Sequence, residues 1–162
     1  MSAHTFDFDV VEIDDLVRND DLLAKAKSLT LPNYCSGMNV LLRYWEEHRD
    51  RHIDAKAIFL MERNTWISWF GKVEKKIVGW CLITHEDDQR SFHPRDGHVG
   101  FQVFVNPDYR GKGYGTALLN KAKEVFAGYT LDVYGEDRLK REKFFGKHMR
   151  AGYVKDLTSG EF

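Results

Sequence analysis

Residues 98–116 read HVGFQVFVNPDYRGKGYGT, and this stretch decides the fold. His98 to Val105 is rich in β-branched and aromatic residues, the composition of a strand. Asn106-Pro107-Asp108 ends it, because proline has no N–H to give a sheet ladder. Arg110-Gly111-Lys112-Gly113-Tyr114-Gly115 is a glycine turn. Thr116 opens a helix through Ala127, with Ala117, Leu118, Ala122 and Val125 along one face, and Gly128 stands at its C-cap. Glycines at alternate positions let the backbone curl and bring several N–H groups to bear on one point. The helix N-terminus adds unpaired N–H groups and partial positive charge, and Arg110 and Lys112 add full charges. The stretch reads as a diphosphate cradle. A plain tight turn is the bland alternative, but three such glycines cost stability without a close-approach reason.

Two familiar phosphate motifs fail on spacing. The chain lacks the Gly-x-x-x-x-Gly-Lys-Ser/Thr run of a nucleotide P-loop. The dinucleotide fingerprint needs Gly-x-Gly-x-x-Gly, and here the pattern is Gly-x-Gly-x-Gly.

Outward from this segment, Thr5 to Val11 alternates around Phe6, Phe8 and Val10 as a strand. Asp14 or Asp15 caps a helix carrying Leu16, Val17, Leu22, Leu23 and Ala26, which Pro32-Asn33 breaks. Asn39 to Asp50 reads as a second helix, and residues 53–63 suit either a helix end or a strand. Thr65 to Val73 and Lys76 to Thr84 form a hairpin across Glu74-Lys75. After a charged loop, 86–97, and the segment above come a strand at Tyr129 to Tyr134 and a basic helix at Glu136 to Met149. A last short strand begins at Gly152. The order is α+β rather than regularly alternating parallel units.

Composition bounds the function. The 162 residues predict a single domain, 1–162, with enough apolar residues (43%) for a core. Their 24 basic and 25 acidic side chains argue against a nucleic-acid-coating protein. Two cysteines, Cys35 and Cys81, make no disulfide framework and read as reduced cytosolic thiols. The longest apolar run, Ala57 to Met61, falls far short of the roughly 20 residues of a bilayer span. No secretory signal is visible at residues 1–4, so the expected location is cytoplasmic, without a membrane partner. The near-neutral total hides an acidic run at 7–21 and a basic one at 138–150; solvated faces explain both. His48 and His52 have the i, i+4 spacing a metal can use, but no third ligand is evident, so no metal is expected. Cys81 reads as a buried apolar residue, and Trp66, Trp69 and Trp80 as core or sheet surface.

The sequence resembles the GNAT superfamily of N-acetyltransferases. Arg110-Gly-Lys-Gly113-Tyr-Gly115 fits that family's Arg/Gln-x-x-Gly-x-Gly/Ala signature. Val103-Phe-Val-Asn-Pro-Asp-Tyr looks like its fourth strand, and Thr116-Ala-Leu-Leu-Asn-Lys-Ala like its third helix. Lys76-Ile-Val-Gly-Trp-Cys-Leu-Ile resembles its third strand, and Arg150-Ala-Gly-Tyr153 the Leu-Gly-Phe after its fourth helix. The resemblance is strongest over residues 65–155. It implies a three-layer fold whose mixed, mostly antiparallel sheet, flanked by helices, splays between strands four and five. It also implies acetyl-CoA as co-substrate, with an amine attacking the thioester directly. Main-chain groups of Val103, Phe104 and Val105 would bind pantetheine. The N–H groups of Gly111, Lys112, Gly113, Tyr114, Gly115 and Thr116 would hold the pyrophosphate, with Arg110 opening the loop. A strand-four amide would polarise the thioester carbonyl. Arg141, where the family often has an Asn, would meet a CoA phosphate or be solvated.

The chain departs from the family at the proton-transfer groups. Four residues before Gly152, in place of the usual Tyr acid, stands His148, whose imidazole can protonate a thiolate. Tyr153 and Tyr134 are secondary candidates, and a slightly longer helix would instead present Phe144 or Phe145, which transfer no protons. The usual base position is Val99. His98 beside it is the candidate base, but alternation points it to the other face unless a bulge intervenes. His85, Glu86, Asp132 and a water chain are alternatives; Leu131 and Val133 bracket Asp132, which therefore faces away from the core residues. Residues 30–40 and 86–97 would line the acceptor pocket for a small-molecule or protein amine. The chain ends ten residues after Gly152, so the family's seventh strand is expected to be short, absent or supplied by a second copy in a homodimer. The rival readings are an acyl-CoA sensor that has lost catalysis and a nucleic-acid module using residues 138–150.

Overall fold

Strand β1 (Thr5–Glu12) leads into helices α1 (Ile13–Arg18), α2 (Asp20–Leu29) and α3 (Ser36–Glu47). Strands β2 (Ala55–Asn64), β3 (Glu74–Thr84) and β4 (His98–Val105) follow. A 3-10 turn, Pro107–Tyr109, precedes helix α4 (Tyr114–Val125), then come strands β5 (Thr130–Val133) and β6 (Val154–Asp156). The computed structural model describes residues 5–29, 36–50, 55–64, 71, 74–84, 97–133, 144, 146 and 154–156. One six-stranded sheet runs in the order β1-β2-β3-β4-β5-β6. Strands β1 to β4 pair antiparallel, while β4, β5 and β6 pair parallel.

Apolar side chains fill both faces. On one face Leu16, Val17, Leu23, Ala26, Leu42 and Trp45 from the first three helices cover Ala57, Phe59, Trp80, Leu82 and Phe104. The Phe59 and Trp80 rings stack there at 5.7 Å. On the other face Leu118, Leu119 and Ala122 of α4 cover Ile58, Leu60, Cys81, Ile83, Val99, Phe101, Leu131 and Val133. A strand sealed on both sides has no polar alternation, which is why the run Ala57–Met61 suits a central strand. This burial pushes the Cys81 thiol well above its ordinary pKa, as expected of an inert apolar cysteine.

Several local expectations need correction. The partner of β3 is residues 55–64, not 65–73, and Glu74 and Lys75 are strand residues paired with Asn64 and Arg63. Most of 65–73 lies outside the described residues. The first helix is two helices broken at Asn19, whose side chain accepts from the Leu22 N–H at 3.0 Å and caps α2. Asp14 and Asp15 lie inside the first turn of α1, after Glu12 at its N-cap. The second helix begins at Ser36 and ends at Glu47, and α4 begins at Tyr114, two residues before Thr116. Gly128 does take the left-handed conformation after α4, at φ 88°. No helix among the described residues is long and apolar enough to cross a membrane.

Two features position the site. The β2–β3 register slips between Leu60, opposite Gly79, and Met61, opposite Ile77, leaving Val78 as an extra residue on β3. The Val78 carbonyl accepts from the Asn106 N–H at 2.8 Å, so the bulge fixes the point where β4 becomes loop. The β4–β5 pairing runs only from His98 opposite Thr130 to Phe101 opposite Val133. Gln102 to Val105 of β4 lie beyond the described part of β5.

Candidate active site

The three turn glycines are required for different reasons. Gly111 (φ 76°) and Gly113 (φ 88°) have left-handed backbone, which strains any residue with a Cβ. A Cβ at either would meet nothing within 4 Å, so conformation and not space demands glycine there. Gly115 is the reverse: a Cβ on it would lie 2.9 Å from the Phe144 ring. Gly113 is the N-cap of α4 and supplies no capping side chain, and the first turn of α4 holds no acidic residue. Its leading N–H groups and positive dipole end are thus arranged for an outside anion.

Beside this loop lies a cavity of about 530 Å³. Val103, Phe104 and Val105 of β4 form one wall, and the loop with Tyr114, Gly115 and Thr116 forms the other. Tyr109 and Phe144 complete it. Its size is that of an ordinary small-molecule site. Arg110 does more than open the loop. Its Nε donates to the Val105 carbonyl at 2.9 Å, and its guanidinium sits 5.2 Å from the centre of the Phe104 ring. Arg110 therefore pins the loop to the end of β4 and holds one of the carbonyls expected to face pantetheine. Lys112 lies with its Nζ 5.7 Å from the Tyr109 ring centre. Phe144, read from sequence only as a group without a proton to give, is a cavity wall.

Tyr109 was not singled out by its sequence context. Its hydroxyl donates to Glu62 Oε2 at 2.6 Å across 47 residues, tying the loop entrance to the end of β2. That hydrogen bond, then burial and the Glu62 charge, push the Tyr109 pKa up to about 12. The folded state thus holds the phenol proton more tightly than the unfolded chain does. The stabilisation is complete below about pH 10 and fades as pH rises towards 12. Tyr109→Phe is expected to lower the urea midpoint at pH 8 by the equivalent of about 1 kcal/mol and to reduce the loss between pH 10 and 12. An unchanged midpoint at pH 8 would show that the bond stabilises nothing.

His98 opens β4, and no bulge turns it: it faces opposite to Val99, which is buried under α4. The opposite face is nonetheless closed around it. Asp132, 1% exposed, accepts from His98 Nδ1 at 2.9 Å. Asp132 does face away from Leu131 and Val133, as alternation requires, yet it is buried. His148, Arg141, Tyr134, Tyr153, His85, Glu86 and Phe145 lie outside the described residues. His48 Nδ1 is taken up by the Tyr44 carbonyl at 2.7 Å, and His52 lies outside the described residues. Among the described residues no cluster of three metal-ligating side chains occurs.

The site thus joins a glycine loop, an uncapped helix N-terminus and a cavity against the end of β4. The model of the Acetyltransferase (GNAT) family matches residues 35–148. The chain belongs to that family, and acetyl transfer is the class of its chemistry. Among solved structures, a possible acetyltransferase from Clostridium difficile 630 is similar, at 21% identity over 90% of this chain and 89% of that one, with TM-score 0.52. An integron cassette protein from the mobile metagenome of V. cholerae matches at 17% identity over 91% and 85%, with TM-score 0.53. A GCN5-related N-acetyltransferase from Ralstonia eutropha JMP134 matches at 13% identity over 89% and 91%, with TM-score 0.51. These likenesses show the fold. No curated protein matches the sequence.

Proposed function

We propose that the protein transfers the acetyl group of acetyl-CoA to a primary amine, on a small molecule or a protein. The left-handed Gly111 and Gly113 ahead of the uncapped α4, beside the cavity on β4, carry this reading. In it, the N–H groups from Gly111 to Thr116 hold the pyrophosphate, pantetheine lies along Val103 to Val105, and Arg141 meets a CoA phosphate. His98 takes a proton from the acceptor ammonium through Nε2. The amine nitrogen then forms a bond to the thioester carbonyl carbon and the carbon–sulfur bond breaks; protonated His148 gives its proton to the departing thiolate and is reprotonated by the second proton of the nitrogen, leaving the neutral amide. The role of His148 rests on its position four residues before Gly152. A cytoplasmic, single-domain enzyme is part of the same proposal. So is a homodimer, in which a second copy would extend the sheet beyond β6, the last strand among the described residues.

The test is thiol release from acetyl-CoA over a panel of polyamines, amino acids, peptides with free N-termini and lysine peptides. The expected result is release above hydrolysis with at least one class. Thermal stabilisation by acetyl-CoA with no release on any amine would favour a sensor, and neither stabilisation nor release would sink the reading.

A further inference from the structure

Asp132 is the one acidic residue among the described residues that is buried almost completely, and it lies on β5 opposite Gly100. Its row across the sheet is Thr84, Gly100 and Asp132. The central member of that row has no side chain, and a Cβ on Gly100 would overlap Thr84 Oγ1. His98 stands two residues earlier on the same face of β4, opposite Thr130. The space over Gly100 is taken by Thr84 Oγ1, and the His98 imidazole reaches along the strand to Asp132 Oδ1 at 2.9 Å. Asp132 stands two residues further along the parallel pair than Thr130, about one side-chain repeat, roughly 6–7 Å.

The bond also fixes chemistry. A carboxylate offers only acceptors, so the ring nitrogen facing Asp132 must carry the proton. In the neutral ring Nδ1 is then the donor and Nε2 keeps its lone pair, the form a general base needs. The His98 side chain is 22% exposed and that of Asp132 is 2% exposed, so the imidazole reaches solvent and the carboxylate is held behind it.

We infer that Asp132 is a positioning residue: it sets the tautomer of His98 and fixes the orientation of its ring. The inference rests on the reading of His98 as the base. Asp132→Asn keeps the side-chain volume but offers an amide N–H to the ring, which favours the opposite tautomer. The measurements are the ¹⁵N shifts of the His98 ring in the free protein, and kcat and KM with the best amine of the panel. Wild type is expected to show protonated Nδ1 and bare Nε2. Asp132→Asn is expected to move the proton to Nε2 and to lower kcat about 100-fold while KM stays within about two-fold. A wild-type ring protonated on Nε2 overturns the inference, as does an unchanged kcat in Asp132→Asn beside a crippled His98→Ala. Unchanged kcat in His98→Ala overturns the base reading itself, and the ring shifts still decide the part Asp132 plays.

Discussion

Gly113→Asp is expected to remove the thermal stabilisation that acetyl-CoA gives the protein. At a ligand concentration a hundred times Kd, binding stabilises by about 2.7 kcal/mol, or roughly 5–10 °C for a chain of this size. The φ of 88° at Gly113 is one that Asp and Asn tolerate better than other residues, at a cost of about 1–2 kcal/mol, so the variant still folds. The carboxylate then sits at the N-cap of α4, where a ligand phosphate would need to approach. Two like charges about 4 Å apart repel by about 1–4 kcal/mol between the limits of water and a protein surface. Added to the lost backbone geometry, this predicts affinity at least about 100-fold weaker. Gly113→Asn carries the same backbone strain without the charge and is expected to keep most of the shift. A full shift in Gly113→Asp, read by differential scanning fluorimetry, would remove the loop from the ligand site.

His98→Ala is expected to lower kcat by about 100- to 1,000-fold, with KM for acetyl-CoA changed by less than about two-fold. The separation follows from geometry: His98 lines neither wall of the cavity built by Val103 to Val105 and the glycine loop, so ligand binding does not depend on it. It stands five residues earlier on β4 and is turned to the face covered by the first three helices. The imidazole keeps 22% of its surface exposed, so truncation removes only part of a buried ring. However, the substitution leaves Asp132 buried without its partner, a cost of about 1–3 kcal/mol. Melting curves must therefore accompany the kinetics. Equal kcat in the two proteins would mean that another group takes the proton.

The parts of this molecule that were legible are those whose determinants are adjacent in the chain. Strand β4, its proline stop, the glycine loop and α4 are all written within residues 98–128, because glycine and proline act on their own φ angles. The partner of β3 was not legible. Thr65 to Val73 has strand-like composition, while residues 55–64 are buried on both faces and so lack the alternation that marks a strand. Asn19, by contrast, carries a readable signal, an N-cap residue followed by Asp20 and Asp21, which continuous apolar spacing across it obscures. In the site, the loop residues followed from spacing, but the His98–Asp132 contact spans 34 residues and depends on the β4–β5 register. Alternation did place Asp132 opposite Leu131 and Val133; it could not show that Asp132 is nonetheless buried. Tyr109 and Glu62 met for the same kind of reason, and Phe144 joined the cavity as a bulky ring against Gly115.

The extra residue at Val78 gives the loop a mechanical footing. The carbonyl it turns outward holds the Asn106 N–H, so the glycine loop is moored to β3, a strand with neighbours on both sides. Tension on the loop from a long ligand is thus carried into the middle of the sheet and shared between β2 and β4, rather than peeling an edge. The molecule can grip at one end of β4 while the paired rows at the other end, with His98 and Asp132, keep their register.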